Sequence, residues 1–392
     1  MTALTSLLIH NIQIAMPDGS VMDGEIVVEN GRIVNVSNES IKGFNGQRWD
    51  GQGCLTLPGF IDIHIHGAAG ADFMDGTVES FETIANALPK EGTTSFLATT
   101  LTQSEDEISK TVNVGKRFME QTINGAEMLG FHLEGPFIHP KQAGAQPVEY
   151  IRKPSFALLE RWFGEALDSL KVVTLAPECD EGLEVTRRLV ERNVLVSAGH
   201  TKATFEDMSN ATEVGLSHLT HFGNAMSGLH HREIGVVGAG FLLKQLHCEV
   251  IADGIHLSED MLQLMYKKIG PERIILITDS MRAKGLLDGS YTLAGQDVNV
   301  TGAKATLADG TLAGSVLKMN EAVQTMRNAG ADLPHLMSMS SSNAAKRLGV
   351  FDRKGSIEVG KDADLVLLND DFQVRATICR GMVGYSRDGS SK

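Results

Sequence analysis

The two ends of the chain share a pattern in which short runs alternate apolar with polar residues. These runs lie at residues 7–9, 25–29 and 32–36 near the start and at residues 364–368 and 376–379 near the end. A period of two is typical of strands that bury one face, and the Asn30-Gly31 pair is a strong hairpin signal. The pattern predicts that residues 1–57 and 352–392 form one small β-sandwich domain.

Between these ends, apolar runs alternate with amphipathic stretches of helical period. The eight apolar runs are residues 59–66, 94–99, 128–134, 171–176, 194–200, 218–221, 249–252 and 273–279. The helical patterns include residues 78–88, 105–119, 155–167, 205–214, 258–268, 318–328 and 335–347. Parallel strands joined by crossover helices produce this alternation. We therefore predict an α/β fold in which residues 58–351 form a (β/α)8 TIM barrel, with catalytic residues at the carboxyl ends of its strands.

The composition fits a folded protein that binds a small molecule. The 392 residues, of which 42% are hydrophobic and 21% charged, are enough for a barrel and a second lobe. The formal net charge of −14 repels nucleic acid and anionic membranes. The four cysteines stand singly, no apolar run reaches the length of a membrane helix, and residues 1–20 lack the pattern of a secretory leader. We expect a soluble protein of the reducing cytoplasm, with no nucleic-acid or membrane partner.

Six side chains that can bind metal stand at the ends of the predicted barrel strands. They are His64, His66, Glu134, His200, His221 and Asp279. One His-x-His pair or one strand-end carboxylate is usually a surface or core feature, but the joint placement of six favours a metal centre. Imidazole and carboxylate suit divalent ions such as zinc or iron, with manganese or cobalt as alternatives. Because six ligands are more than one ion takes from a protein, we predict two ions bridged by a carboxylate.

His132 alternates with Glu134 along the third predicted strand and should face the barrel interior one layer below it. Two interpretations stay open for this residue. It is either a core histidine with satisfied hydrogen bonds, which the pattern favours, or a support for a neighbouring metal ligand.

The motifs at these strand ends resemble a known family. Residues 57–67, Leu-Pro-Gly-Phe-Ile-Asp-Ile-His-Ile-His-Gly, resemble the first-strand signature of the amidohydrolase superfamily. Residues 132–137, 197–201, 220–226, 252–256 and 278–281 resemble, more narrowly, the N-acetylglucosamine-6-phosphate deacetylases. The likeness continues through residues 312–315 and 360–365 and so covers nearly the whole chain.

The resemblance implies a reaction and a first metal site. The reaction is metal-dependent hydrolysis of the acetamide of N-acetyl-D-glucosamine 6-phosphate, which gives D-glucosamine 6-phosphate and acetate in amino-sugar catabolism and cell-wall recycling. The resemblance further implies that Glu134, His200 and His221 hold one ion. It makes Asp279 the catalytic acid/base.

A second ion follows from the first-strand motif. His64 and His66 match the members of the family that keep both histidines, so the resemblance implies a second ion beside Asp279 with Glu134 as the bridge. No lysine on an early strand takes the bridging place, which argues against the branch of the superfamily that hydrolyses cyclic amides.

The resemblance also proposes residues for substrate binding. It assigns the phosphate to Asn224, Ala225, Arg232, His256 and, in addition, His231. Lesser candidates for the sugar are Ala145, Gln146, Leu312 and Ala313. The loops at residues 140–146 and 280–285 combine small with polar residues, so they are either lids that order on binding or ordinary long barrel loops. In related enzymes the arginine reaches in from a neighbouring subunit, so we expect a homodimer. The family often has two bulky residues where this chain has Phe222-Gly223, so the resemblance does not define the wall of the sugar pocket at this position.

Two alternative functions remain at this stage. A deacetylase of N-acetylgalactosamine 6-phosphate differs only in the orientation of one substrate hydroxyl, which the sequence does not resolve. A noncatalytic assembly protein could keep the barrel and lose the chemistry, but the presence of all six metal-binding side chains counts against it.

Overall fold

The structure is a computed structural model, and it describes residues 6–387. Residues 1–5 and 388–392, the two ends of the predicted terminal domain, lie outside the described residues. The strands are, in chain order, β1 (Ser6–Ala15), β2 (Val21–Glu29), β3 (Arg32–Ser37), β4 (Gln47–Pro58), β5 (Phe60–Ile65), β6 (Gly67–Ala68), β7 (Ala71–Asp72), β8 (Thr93–Thr100), β9 (Glu127–Glu134), β10 (Leu170–Leu175), β11 (Leu195–Ala198), β12 (His218–Leu219), β13 (His247–Ile251), β14 (Ile274–Ile277), β15 (Gly289–Leu293), β16 (Gln296–Thr301), β17 (Lys304–Thr306), β18 (Leu365–Leu368), β19 (Val374–Cys379) and β20 (Met382–Ser386).

The helices surround the barrel strands and follow them in the chain. They are α1 (Val78–Ala87), α2 (Glu105–Met119), α3 (Phe156–Phe163), α4 (Gly182–Val190), α5 (Phe205–Glu213), α6 (Gly235–Leu242), α7 (Glu259–Lys268), α8 (Met319–Asn328), α9 (Leu333–Met337) and α10 (Asn343–Arg347). None of the helices within residues 6–387 has both the length and the apolar character needed to cross a membrane.

Eight parallel strands form the barrel and stand side by side in chain order. The order is β5, β8, β9, β10, β11, β12, β13 and β14. The two ends of this sheet meet where the backbone N–H of Asp279 donates to the carbonyl oxygen of His64 at 2.8 Å. At the same seam, Thr278 Oγ1 donates to Asp62 Oδ2 at 2.5 Å. The predicted TIM barrel is confirmed, and each of the eight predicted apolar runs overlaps one of its strands.

Local sequence signals explain where several helices begin. The side chains of Thr77, Ser104 and Ser258 precede α1, α2 and α7 and accept hydrogen bonds from backbone N–H groups of the first turn. Helix α6 differs, because its residues are almost all apolar and six of its eight are buried. A helix that is apolar all round carries no amphipathic period, so the hydrophobic pattern does not mark it.

Both ends of the chain build a second, seven-stranded sheet. Its order is β20, β19, β18, β4, β1, β2 and β3. Apolar side chains from the two ends, among them Ile9, Ile26 and Leu365, form a core of its own beside the barrel. Strand β4 continues almost directly into β5, and the Gly59 N–H donates to the Asp364 carbonyl oxygen at 2.8 Å. The terminal sheet therefore anchors the first barrel strand.

A small antiparallel sheet of β15, β16 and β17 follows the last barrel strand. The sequence analysis expected only a loop, at residues 280–285, in this part of the chain. Alternating buried residues such as Val298 and Val300 pack on Met281 and Leu101. The strands are three to six residues long and expose their other face, which makes their alternation hard to separate from loop sequence.

Candidate metal centre and substrate cleft

The carboxyl ends of five barrel strands bring all six predicted metal-binding side chains together. Glu134, at the end of β9, stands between two groups of histidines. Its Oε1 lies 3.0 Å from Nε2 of His200 and 3.0 Å from Nε2 of His221. Its Oε2 lies 3.3 Å from Nε2 of His66 and 3.6 Å from Nε2 of His64. One carboxylate therefore faces both groups, one oxygen to each.

Asp279 completes the second group. Its Oδ1 lies 3.0 Å from His66 Nε2 and 3.4 Å from His64 Nε2. The backbone of Asp279 has φ of 48°, and His200 and His221 have φ of 48° and 31°. Residues other than glycine rarely adopt this left-handed region, and such conformations persist where the surrounding structure enforces them. Three of the six side chains thus leave their strands through an unusual turn.

Hydrogen bonds on the far side of each ring fix which nitrogen faces the centre. His66 Nδ1 donates to the Thr99 carbonyl oxygen at 3.3 Å, and His200 Nδ1 donates to the Gln142 carbonyl oxygen at 2.7 Å. Because a carbonyl oxygen only accepts, Nδ1 carries the hydrogen in both rings. The Nε2 lone pairs are left for the centre, as in histidines that bind metal.

The atoms at the centre fit divalent ions. His64 Nε2 is buried and has no hydrogen-bond partner among the described residues. Three groups of three side chains have ligand atoms close enough to share an ion. Two of them consist of predicted ligands, namely His64, His66 and Asp279, and Glu134, His200 and His221, and the third is His64, His132 and Glu249. Nitrogen lone pairs and carboxylate oxygens repel each other at these distances unless a positive charge lies between them. This mixture of donors suits borderline divalent ions.

The charges of the centre also call for a cation. Burial opposes protonation of His66, but Asp279 and Glu134 outweigh it and raise the pKa of His66 to about 9. Burial by itself raises the pKa of Asp279, but His64 and His66 outweigh burial and lower this pKa to about 2. Both carboxylates therefore stay ionised at neutral pH and attract positive charge, from protons or from metal ions.

A buried residue that the sequence analysis did not single out supports this centre. Glu249, on β13, is fully buried, and its Oε2 lies 2.9 Å from His64 Nδ1. The signal was present in the sequence, because a charged residue inside an apolar strand is costly unless it has a polar partner. His132 also lies nearby, but its Nδ1 donates to the Ile63 carbonyl oxygen and its Nε2 accepts from Thr174 Oγ1. Both of its nitrogens are engaged, as expected of a core histidine.

Five of the six metal-binding side chains line a cleft of about 330 Å³, and the sixth, His64, is fully buried beside them. Of the predicted substrate residues, those that line the cleft are Ala145, Gln146, Asn224, Ala225, His256 and Leu312. Leu293 and Thr311, from the region of the small antiparallel sheet, line it too. Lys141, on the loop after β9, brings a further positive charge that the sequence analysis did not assign.

Three predicted substrate residues do not line the cleft. Arg232 and His231 are exposed, and Arg232 Nη1 lies 2.7 Å from His231 Nε2. Ala313 is buried, and its N–H donates to the Ala305 carbonyl oxygen at 3.1 Å. Phe222 packs against Phe241 and is also absent from the lining, so its side chain forms part of the core behind the cleft.

Comparisons with known proteins agree with this architecture. A model of the amidohydrolase family matches residues 55–383. The chain is 46% identical to N-acetylglucosamine-6-phosphate deacetylase of Bacillus subtilis over 385 residues, which cover 97% of each protein. The crystal structure of N-acetylglucosamine-6-phosphate deacetylase from Thermotoga maritima matches with a TM-score of 0.87 at 37% identity, over 97% of this chain and 99% of that one. The chain belongs to the amidohydrolase family.

Within this family, the similarity is to the N-acetylglucosamine-6-phosphate deacetylases, which confirms the resemblance seen in the sequence motifs. N-acetylgalactosamine-6-phosphate deacetylase of Escherichia coli O157:H7 is less similar, at 37% identity over 84% of this chain and 87% of that protein. The relatives thus favour the gluco over the galacto substrate. The prediction that the chain is an amide hydrolase is confirmed.

Proposed function

We propose that the protein hydrolyses the acetamide of N-acetyl-D-glucosamine 6-phosphate to D-glucosamine 6-phosphate and acetate. The observation that carries the proposal is the convergence of the six metal-binding side chains, five of which line one cleft, in a chain that matches a deacetylase of this specificity over 97% of its length.

Asp279 is the proposed acid/base. Divalent ions, when bound, supply a water of lowered pKa and polarise the acetamide carbonyl. Asp279 lines the cleft beside His66 and Glu134, where its carboxylate can accept a proton from a water held at the centre. Asp279 takes the proton of the attacking water and passes it to the sugar nitrogen as the carbon–nitrogen bond breaks. The amine leaves neutral, and the acyl group leaves as acetic acid, which then loses its proton to solvent and becomes acetate.

We propose two ions for each chain. Glu134, His200 and His221 would hold one, and His64, His66 and Asp279 would hold the other, with Glu134 as the bridge. Zinc or iron is the proposed native metal, because imidazole and carboxylate donors together suit these ions, and manganese or cobalt are alternatives.

The phosphate would bind at the rim of the cleft. Asn224 and the Ala225 backbone supply donors, and His256 and Lys141 supply positive charge. The His256 Nδ1 atom lies 2.6 Å from Asp253 Oδ2, which stabilises the protonated ring against the effect of burial and raises the pKa of His256. Arg232 lies outside the cleft of its own chain, which supports the proposal that it serves the neighbouring subunit of a homodimer.

Other parts of the proposal concern sugar binding, the domains and the location. Ala145, Gln146 and Leu312 would contact the sugar, with Ala313 and His231 as weaker candidates. We keep residues 1–57 with 352–392 as the small β-domain and residues 58–351 as the barrel. A cytoplasmic location is supported by Cys248 and Cys379, which are buried thiols without a disulfide.

Acetate release from two substrates tests the function. The protein, loaded with zinc, is assayed with N-acetylglucosamine 6-phosphate and with N-acetylgalactosamine 6-phosphate at equal concentrations. We expect a higher kcat/KM for the gluco substrate and no release after chelation. A higher kcat/KM for the galacto substrate would reverse the assignment. The absence of acetate from both substrates, in protein shown to contain metal, would point to the noncatalytic alternative.

A further inference from the structure

We propose that Glu249 is a positioning residue that holds one histidine of each metal group in place and thereby couples the two metal sites. This inference rests on the proposed metal centre, and it concerns a residue outside the two groups that are proposed to hold the ions. Glu249 lies on β13, and its side chain is fully buried.

The first contact orients His64. Glu249 Oε2 lies 2.9 Å from His64 Nδ1, so a hydrogen on Nδ1 is donated to the carboxylate. The other nitrogen, Nε2, then presents its lone pair towards Glu134 Oε2 and Asp279 Oδ1. A carboxylate in this position also makes the ring a stronger electron donor, as carboxylate–histidine–metal arrangements do.

The second contact holds the backbone of the other group. The His221 N–H donates to the same Oε2 of Glu249 at 3.3 Å. The next N–H, of Phe222, donates to the Glu249 carbonyl oxygen at 2.8 Å. Both hydrogen bonds fall on the left-handed turn in which His221 has φ of 31°. One residue therefore supports the strained turn that aims His221 at its metal position.

The remaining contacts of Glu249 are longer. Its Oε1 has no hydrogen-bond partner among the described residues and lies 4.0 Å from both His132 Nδ1 and His218 Nε2. Glu249, His64 and His132 also form a group that could hold an ion, but both His132 nitrogens are already engaged, by the Ile63 carbonyl oxygen and by Thr174 Oγ1. The contacts that offset the cost of burying this carboxylate are those to His64 and His221.

Metal binding measured without substrate tests the proposal, so its outcome does not depend on the deacetylase assay. The metal-free protein is titrated with Zn²⁺ and, separately, with Co²⁺, whose visible absorption reports ligand geometry. Glu249→Gln keeps the shape and loses the charge. We expect both ions to bind about 10- to 100-fold more weakly in this variant and the cobalt bands to shift.

Glu91→Gln is the matched control. Glu91 is also buried, but its partner is Lys284, at 2.8 Å, and it contacts none of the six ligands. It should bind both ions as the unchanged protein does. Weakening of only the ion that needs His64 would overturn the coupling, and unchanged binding of both ions would overturn the positioning role altogether.

A second background isolates the contact to His221. In His64→Ala protein the link to His64 no longer exists, so Glu249→Gln should still weaken the remaining ion, held by Glu134, His200 and His221. No further loss in that background would overturn the proposed support of His221. If Glu249→Gln does not fold, Glu249→Asp replaces it, because the shorter side chain keeps the charge and loses the reach. Native metal binding by Glu249→Asp would contradict the proposal.

Discussion

The floor and the rim of the cleft differ in how their side chains are held in place. The floor consists of the six metal-binding side chains at strand ends, and the rim consists of the loop at residues 140–146 and the small sheet of β15 to β17. The loop at residues 230–232 does not line this cleft and is proposed to complete the rim of the neighbouring subunit's cleft. No floor residue is more than 8% exposed, whereas residues 230–232 are all exposed. The barrel therefore determines the geometry of the floor, and the rim depends on contacts between loops or between subunits.

The floor contains the residues proposed for metal binding and catalysis, and the rim contains those proposed to bind the substrate. Floor residues are fixed by hydrogen bonds within the barrel, such as that of His66 Nδ1 with the Thr99 carbonyl oxygen on β8, and by the backbone hydrogen bond between His64 and Asp279. Groups that bind metal or move protons need this precision, because small displacements lower catalytic rates steeply. A phosphate at the rim tolerates more movement, since its charge is attracted from several directions. Substitutions in the floor should therefore lower the activity more than substitutions in the rim.

The largest expected effect is the removal of metal from the floor. The protein should hold close to two divalent ions per chain at saturating zinc, and chelation should abolish acetate release. Replacing His64 and His66 together by alanine should remove one ion and leave the other on Glu134, His200 and His221. Elemental analysis measures both counts. At most one ion in the unchanged protein at saturating metal would contradict the binuclear floor.

The next effect concerns proton transfer at Asp279. Asp279→Asn keeps the shape of the side chain and removes its ability to take a proton, so kcat should fall by a factor on the order of 10² to 10⁴ with KM little changed. Metal content is measured on the same sample, because Asp279 is also a proposed ligand. Near-native kcat with two ions bound would mean that another group protonates the leaving amine.

At the rim, Arg232→Ala should have a smaller effect that depends on the phosphate. Charge-assisted hydrogen bonds to an anion contribute roughly 1.5–3 kcal/mol each, so kcat/KM for the phosphorylated sugar should fall about one to two powers of ten. Unphosphorylated N-acetylglucosamine is the control substrate and should show little change. Equal losses on both substrates would show that Arg232 supports the fold or the dimer instead of contacting phosphate.

Mixing two inactive variants tests where Arg232 acts. If the arginine serves the neighbouring subunit, chains with Asp279→Asn and chains with Arg232→Ala should together recover part of the activity, because one mixed site then has both residues intact. A mixture that exchanges subunits and recovers nothing would place Arg232 in the cleft of its own chain, which would require the loop at residues 230–232 to move.

The same contrast explains what could be predicted from the sequence. The floor was predictable because each ligand stands at the end of an apolar strand, and parallel strands bring their carboxyl ends to one end of the barrel. The role of Glu249 was not predictable in the same way, because it depends on which side chains of other strands lie opposite, such as His64. The hydrophobic pattern of one strand does not show these neighbours. The position of Arg232 relative to the cleft depends on the path of an exposed loop, which local sequence does not determine.

The smallest effect should come from a single hydrogen bond that joins two parts of the rim. Gln296 Nε2, on β16, donates to the Ala145 carbonyl oxygen on the loop after β9 at 2.6 Å. Ala145 lines the cleft, and Gln296 is only half-buried, so water can replace the lost donor in Gln296→Ala. A net loss of roughly 0.5–1.5 kcal/mol then corresponds to a rise in KM of about 2- to 10-fold, with kcat unchanged.

Asn299→Ala on the same strand provides the control for that prediction, because Asn299 is exposed. Its KM should stay native. An equal rise of KM in both variants would mean that the small sheet has been destabilised as a whole. A fall of kcat in Gln296→Ala with unchanged KM would show that the rim helps to position the floor, which would remove the separation between chemistry and recognition.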